Sequence, residues 1–243
     1  MTLGVAETRL VLQAGGRGQR MGDVSRSIPK PMQTVGGTPM VERLLRQGID
    51  AGLRRITVIT GEMGDRITAH LRGLEGLPSE LDLGFIAETV PRGNIGALAD
   101  LPRDGRRFVL CFADLVTDLD FATLLAVHQE LGSDVTLASH PETHRLALGE
   151  LVIDGDRVVD YREKPEKRFL ICSGIGVFEP ALLDLVPLDR PAGISDLISL
   201  ALAHDLKVMH WTHGAFWMDV NSQEDLARAN GVLARIRPAE GRS

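Results

Sequence analysis

Cysteine is almost missing from this chain of 243 residues: Cys111 and Cys172 are the only two. A disulfide framework is therefore excluded. Neither residue belongs to a Cys-x-x-Cys pair, which removes the usual redox and zinc signatures. Long apolar runs are missing as well. None approaches the ~18–20 residues needed to span a bilayer, so no membrane association is expected. Residues 1–13 carry Glu7 and Arg9 and lack the apolar core of a signal peptide, which points to a cytoplasmic protein. Nor is there an excess of positive charge: 27 Lys and Arg stand against 33 Asp and Glu, a net charge of −6. Binding to nucleic acid is not expected, because phosphate backbones favour a basic face. No fixed-period repeat and no low-complexity linker divides the chain.

Glycine is plentiful, and its densest use comes early. The apolar run Leu10-Val-Leu-Gln-Ala14 ends in Gly15, Gly16 and Gly18, followed by Arg17, Arg20, Arg26 and, within Pro29-Lys30-Pro31-Met32, Lys30. Glycines let backbone N–H groups approach a ligand, and neighbouring cations suit phosphate. A P-loop would need Lys then Ser/Thr after its last glycine, and none is present. A dinucleotide fingerprint would need a third glycine three residues after Gly18, where Met21 stands. The two prolines stiffen the backbone that carries Lys30, as suits an ammonium held at one point beside a phosphate.

Strand-like and helical patterns alternate through the first 131 residues. Strands are expected at 9–13, 56–60, 81–87 and 108–112, with helices at 63–74, 93–101 and 121–131. Residues 14–38 read as a long loop. Thr38 reads as the N-cap of a helix with Pro39 in its first turn, running to about Gly52. Such alternation implies parallel βαβ units. The second half is richer in strands, at 135–139, 148–153, 158–162, 170–178, 207–211 and 216–220. Helices are expected at 180–186, at 194–204 and, capped by Ser222, from there to about 235. His140 and His144 are four apart, but Pro141 between them breaks a helix, so a loop is expected and a zinc site is not. Cys111, in an apolar strand, reads as a core residue.

These stretches together resemble the sugar-1-phosphate nucleotidylyltransferases, or NDP-sugar pyrophosphorylases. That family typically shows L-A-G-G-x-G-T-R-L, P-K-P-L/M, P-L-G-T-A-G-A-L, N-G-D, E-K-P, N-x-G-I-Y-V-F and W-x-D-I-G-T. This chain offers, in the same order, the glycine loop, Pro29-Lys30-Pro31-Met32 and Glu88 followed by Pro91-Arg-Gly-Asn-Ile-Gly-Ala-Leu98. Then come Ala113-Asp114, Glu163-Lys164-Pro165, Cys172-Ser-Gly-Ile-Gly-Val-Phe178 and Trp217-Met-Asp-Val-Asn-Ser222. The resemblance implies an α/β fold with a Rossmann-like mixed, mostly parallel sheet flanked by helices, of the nucleotide-diphospho-sugar transferase type. It implies a single domain over 1–243, with a nucleotide-binding half at about 9–131 and a sugar-phosphate half at about 132–236. With no hexapeptide-repeat extension, the chain looks like the short, core-only members.

The resemblance also implies an activity of the EC 2.7.7 class, in which an NTP and a sugar 1-phosphate yield an NDP-sugar and pyrophosphate. Arg20, Lys30 and Asp114 would be catalytic, with Arg20 on the departing β/γ-phosphates and Lys30 on the α-phosphate side. Gln13, Ala14, Gly15, Gly16, Gly18, Glu88 and Gly93 would bind the nucleotide. Glu163, Lys164, Ser173 and Gly174 would bind the sugar phosphate, and Asp114 and Asp219 would hold Mg²⁺. Departures from the pattern fall at Gln13, Gln19, Asn94, Ile95, Ala113, Cys172 and Gly176. The last two leave a smaller, less polar sugar side, which suggests a heptose, an octose or a modified sugar. GTP is favoured for the base, with uridylyl-, thymidylyl- and cytidylyl transfer left open. A cytidylyltransferase for a polyol or choline phosphate and a regulatory homologue are the other readings. Retention of Arg20, Lys30, Asp114 and Asp219 argues against the regulatory one. A homo-oligomer is left open.

Overall fold

The computed structural model describes residues 4–15 and 28–236. Its first strand, β1 (Arg9–Ala14), is buried along its whole length. A run buried on both faces is what a central parallel strand requires. The side chains alternate, with Leu10, Leu12 and Ala14 entering one core and Val11 the other.

After residue 28 comes a short 3-10 turn at Lys30–Met32, then β2 (Thr34–Val35) and β3 (Thr38–Pro39). Gly36 and Gly37, both at positive φ, make the two-residue turn that pairs β2 with β3. Thr38 is consequently a strand residue and not the expected N-cap. Helix α1 (Met40–Asp50) starts directly after Pro39. Then follow β4 (Arg55–Thr60), α2 (Gly64–Arg72), β5 (Asp82–Ala87) and β6 (Phe108–Phe112). The helix expected at 93–101 is only a 3-10 segment, Gly96–Asp100. After β7 (Leu115–Thr117), helix α3 (Phe121–Leu131) has the expected bounds. The carboxylate of Asp120 caps it by accepting from the N–H groups of Ala122 and Thr123.

The second half contributes β8 (Val135–Arg145), β9 (Glu150–Asp154), β10 (Arg157–Arg162) and β11 (Glu166–Phe178). Residues Pro180–Leu185 form a 3-10 segment where an α-helix was expected. Then come α4 (Ile194–Ala203), β12 (Val208–Thr212), β13 (Trp217–Asp219) and α5 (Gln223–Ile236). β8 and β11 are longer than expected, and pair antiparallel from Val135/Phe178 out to Arg145/Glu166. His140 and His144 therefore stand on a strand, not in a loop. Pro141 is tolerated there because β12 pairs with β8 only as far as Ser139, leaving that side of β8 an open edge.

The main sheet has seven strands in the order β12-β8-β11-β6-β1-β4-β5. β4 and β6 flank β1, and β5 lies beyond β4, all parallel. β11 runs antiparallel to both β6 and β8, and β12 runs parallel to β8. One face is covered by α1, α2 and α3 through residues such as Leu44, Ile67 and Phe121. The other is covered by the two 3-10 segments and α4 through Leu98, Leu182 and Leu197. α5 sets Ala229 against Val35, Val116 and Met218. Among the described residues, no helix is long and apolar enough to cross a membrane. From β1 the chain steps outward to β4 and β5, then returns to β6 on the opposite side of β1. Such a switch point opens a crevice at the carboxyl ends of the strands.

Candidate active site

That crevice is a cavity of about 720 Å³. Gln13, Ala14 and Gly15 line it from β1, Gly61 and Glu62 follow β4, and Glu88, Thr89, Pro91, Gly93 and Asn94 follow β5. Phe112 and Asp114 reach it from β6, and Lys30 and Pro31 from the 3-10 turn. Gly16, Gly18 and Arg20 lie outside the described residues, together with Arg17, Gln19, Met21 and Arg26.

The end of β1 is crowded. A Cβ on Gly15 would sit 3.3 Å from the Gln13 amide nitrogen and 3.4 Å from Glu88 Oε2, and one on Gly61 would run into the Gly15 carbonyl. Gly93 has a positive φ, and a Cβ there would collide with the Ala192 carbonyl. The Arg92 carbonyl accepts from Ala192 N–H (2.8 Å) and the Ala192 carbonyl from Ile95 N–H (3.2 Å), which holds this loop against the chain before α4. Glu88 is 5% exposed at its side chain, and its carboxylate accepts from the Arg92 N–H at 2.9 Å. Asn94 lines the cavity too, and its Oδ1 accepts from Ile194 N–H at 2.9 Å. Gln13 Oε1 is buried and has no hydrogen-bond partner among the described residues. An unpaired acceptor at the wall of a cavity is costly unless a donor comes to meet it.

Lys30 is the centre of charge. Its side chain is 10% exposed, and Nζ donates to Asp114 Oδ2 at 2.8 Å and to Asn221 Oδ1 at 2.7 Å. Nζ lies 3.7 Å from Asp219 Oδ1. The Asn221 amide donates in turn to the other Asp219 oxygen. Pairing of β7 with β13 sets Asp219 opposite Leu115, and Val220 N–H donates to the Asp114 carbonyl. Two carboxylates distant in sequence thus converge on one ammonium. Burial holds the Asp219 carboxyl above the ordinary carboxylate range, and the nearby Asp114 charge adds to this; Lys30 and Asn221 pull the other way. Asp219 Oδ1 is buried without a hydrogen bond among the described residues.

This donor set suits a divalent cation. Among the described residues one lysine faces the pair of carboxylates, and one carboxylate oxygen has no hydrogen bond. Among the described residues no set of three His, Cys, Asp or Glu side chains converges, so a complete protein cage is not formed. Mg²⁺ takes one or two carboxylates and fills its remaining positions with water and phosphate oxygens. The residues present fit it.

The sugar-side candidates divide. Ser173 is fully buried, its hydroxyl lying 2.9 Å from His140 Nδ1 and 2.8 Å from His213 Nε2. Its carbonyl accepts from the Trp217 indole at 2.7 Å, and the His140 and Trp217 rings lie 4.3 Å apart. Burial, then the neighbouring His140, hold His213 below the usual histidine range. Gly174, at positive φ, packs on Phe112 and Leu115, so this segment adjoins the cavity wall. Glu163 and Lys164 do not line the cavity. Glu163 accepts from the Tyr161 hydroxyl, and Lys164 is exposed with φ 45° in the turn between β10 and β11.

Asn221, Gly61, His140 and His213 were not among the sequence candidates. Asn221 had a signal, since it stands where the W-x-D-I-G-T pattern carries glycine. The two histidines had none, because their meeting at Ser173 depends on the length of β8.

The family model for nucleotidyl transferases matches residues 9–235. The chain is 28% identical over 232 residues to mannose-1-phosphate guanylyltransferase of Mycobacterium tuberculosis, covering 93% of this chain and 64% of that protein. It is 23% identical to a probable glucose-1-phosphate cytidylyltransferase of Bacillus subtilis, covering 91% and 94%. The solved structure of HddC from Yersinia pseudotuberculosis superposes with a TM-score of 0.70 at 25% identity, over 93% of this chain and 99% of that one. The chain spans 64% of the length of the first guanylyltransferase relatives it matches.

Proposed function

The chain belongs to the nucleotidyl transferase family, and on that premise we propose that it condenses an NTP with a sugar 1-phosphate to give an NDP-sugar and pyrophosphate. The observation that carries this reading is the cluster of Lys30, Asp114, Asp219 and Asn221 at the edge of a cavity of about 720 Å³. One ammonium and two carboxylates at the switch point suit a triphosphate with its divalent cation.

In this mechanism a sugar-phosphate oxygen attacks the α-phosphorus and pyrophosphate leaves in line. Catalysis is then positioning and neutralisation of charge. Asp114 and Asp219 would hold Mg²⁺, which when bound neutralises phosphate oxygens. Lys30, stiffened by Pro29 and Pro31, turns its ammonium from the carboxylates to the α-phosphate. Asn221 keeps Asp219 oriented while Lys30 moves. Arg20 takes the departing pyrophosphate. Gly15 and Gly61 admit the nucleotide backbone-close, and Gln13 and Glu88 face its base.

GTP is the favoured donor. Guanine presents N–H donors, and the Gln13 oxygen, unpaired among the described residues, and the Glu88 carboxylate are acceptors. The acceptor sugar is read as a heptose, an octose or otherwise modified. Pyrophosphate release measured over the common NTPs with a panel of sugar 1-phosphates tests this. Release that is fastest with GTP and stops on chelation supports it. No release with any pair favours a regulatory homologue, and fastest release with CTP, UTP or dTTP overturns the choice of base.

A further inference from the structure

Beside the large cavity lies a niche of about 160 Å³, bounded by Phe112, Leu137, Cys172, Gly174, Gly176 and Ile194. Phe112 borders both spaces, and Asn94, in the wall of the larger one, holds the backbone of Ile194 in the wall of the smaller. The niche has a structural cause. β11 pairs Cys172 with Ser139 but Gly176 with Leu137, so two residues bulge out of register between them. Gly174 turns the bulge at φ 69°, and a Cβ on Gly176 would press to 3.1 Å from Leu137 and Phe178, so the niche wall packs closely there.

Its lining is uniform in chemistry. Among the described residues it holds no charge, no hydroxyl and no amide side chain, and the Cys172 sulfur is its only side-chain heteroatom. A hydroxyl placed there would exchange water for a lining that offers it no hydroxyl, amide or charged side chain. An apolar cavity of about 150 Å³ is large enough to take a benzene ring, so this one accommodates a methyl group or a larger alkyl group. Phe112, at the end of β6, precedes Asp114 by two residues, so the niche adjoins the charged cluster.

We propose that this niche receives an apolar substituent of the acceptor sugar, and that the preferred substrate is a deoxy or C-alkylated sugar 1-phosphate rather than a fully hydroxylated hexose. This rests on the reading of the chain as a sugar-1-phosphate nucleotidylyltransferase. Cys172 and Gly176, where other members of the pattern carry asparagine and tyrosine, then set the choice of sugar.

The test compares matched pairs, glucose 1-phosphate with its 6-deoxy analogue and mannose 1-phosphate with its 6-deoxy analogue, with whichever NTP turns over fastest. A hydrophobic pocket distinguishes such groups by about 10–200-fold, so kcat/KM should favour the deoxy members by at least about tenfold. Cys172→Asn, which brings an amide to the niche, should lower the deoxy-to-parent ratio of kcat/KM to about one or below. Thiol alkylation gives a readout apart from turnover. Cys172 is exposed and Cys111 is buried, with burial pushing its thiol far above the usual range, so reagent reports on Cys172. With NTP present, the 6-deoxy sugar phosphates should protect Cys172 at concentrations where their parents do not. Turnover that favours the hydroxylated members, or equal protection by both, overturns the inference and leaves the broader reading standing. No turnover with any pair overturns both.

Discussion

Replacing Lys30 by methionine removes the ammonium between Asp114 and Asp219 and keeps most of the side-chain length. The effects on metal binding and on turnover should be opposite. At 2.8 Å from Asp114 and 3.7 Å from Asp219, Coulomb attraction to Nζ is about 1–1.5 kcal/mol per pair in the high-dielectric limit and several-fold more at an effective dielectric of about 20. Both carboxylates are about a third exposed, at 34% and 38%, so the lower figures apply. Lys30→Met should then bind Mg²⁺ without nucleotide about 30–150-fold more tightly, because ~2–3 kcal/mol of competing attraction is gone. Turnover should fall by about 10²–10³, the cost of losing one preorganised charge on the reacting phosphate. With no cation present, two facing carboxylates raise the Asp219 carboxyl further. The folded state then holds that proton to higher pH than the unfolded chain does, so metal-free Lys30→Met should lose stability as pH rises through that window. Calorimetric Mg²⁺ titration and pyrophosphate release read the two effects. Unchanged Mg²⁺ affinity, or turnover within about threefold of the parent, would refute the reasoning.

Three further outcomes follow from other parts of the molecule. Gly93→Ala places a side chain at positive φ against the Ala192 carbonyl. It should cost about 1–3 kcal/mol of stability and raise KM for the NTP, and a variant with parental melting temperature and KM contradicts this. Asp120→Ala removes the cap of α3, which should cost about 1 kcal/mol, some 2–4 °C in Tm, without changing kcat/KM. His213 is held below the usual histidine range by burial and by His140. The unfolded chain therefore takes up this proton at higher pH than the folded one. Its contribution is complete above the unfolded value near 6.5 and is lost as pH falls toward the folded value, at up to about 1.4 kcal/mol per pH unit. Urea midpoints of His213→Gln should lose that segment of the pH dependence, and identical slopes for parent and variant would count against it.

Much of the α/β framework is local, and it was legible for that reason. Leu10–Leu12, Phe108–Phe112 and the face of Phe121, Leu124, Leu125 and His128 carry their period in the sequence, and Asp120 sits where a cap belongs. The misread positions include one set by a local turn and one set by a distant pairing. Thr38 is drawn into a hairpin by Gly36 and Gly37, and β8 is extended past Pro141 by its register with β11.

The sequence by itself determined the residue types of the site: a glycine-ended strand, a lysine between two prolines, an aspartate after an apolar strand and another in a Trp-x-Asp stretch. Their chemistry is carried by identity and near neighbours, which a linear pattern records. Only the tertiary structure decided that Asp114, Asp219 and Asn221 meet at one ammonium, because that meeting depends on β7 pairing with β13. It also decided that two histidines close on Ser173, and that an apolar niche opens beside Phe112. Both follow from the length of β8 and the bulge in β11, and a register between strands far apart in the chain is set by packing of the whole sheet.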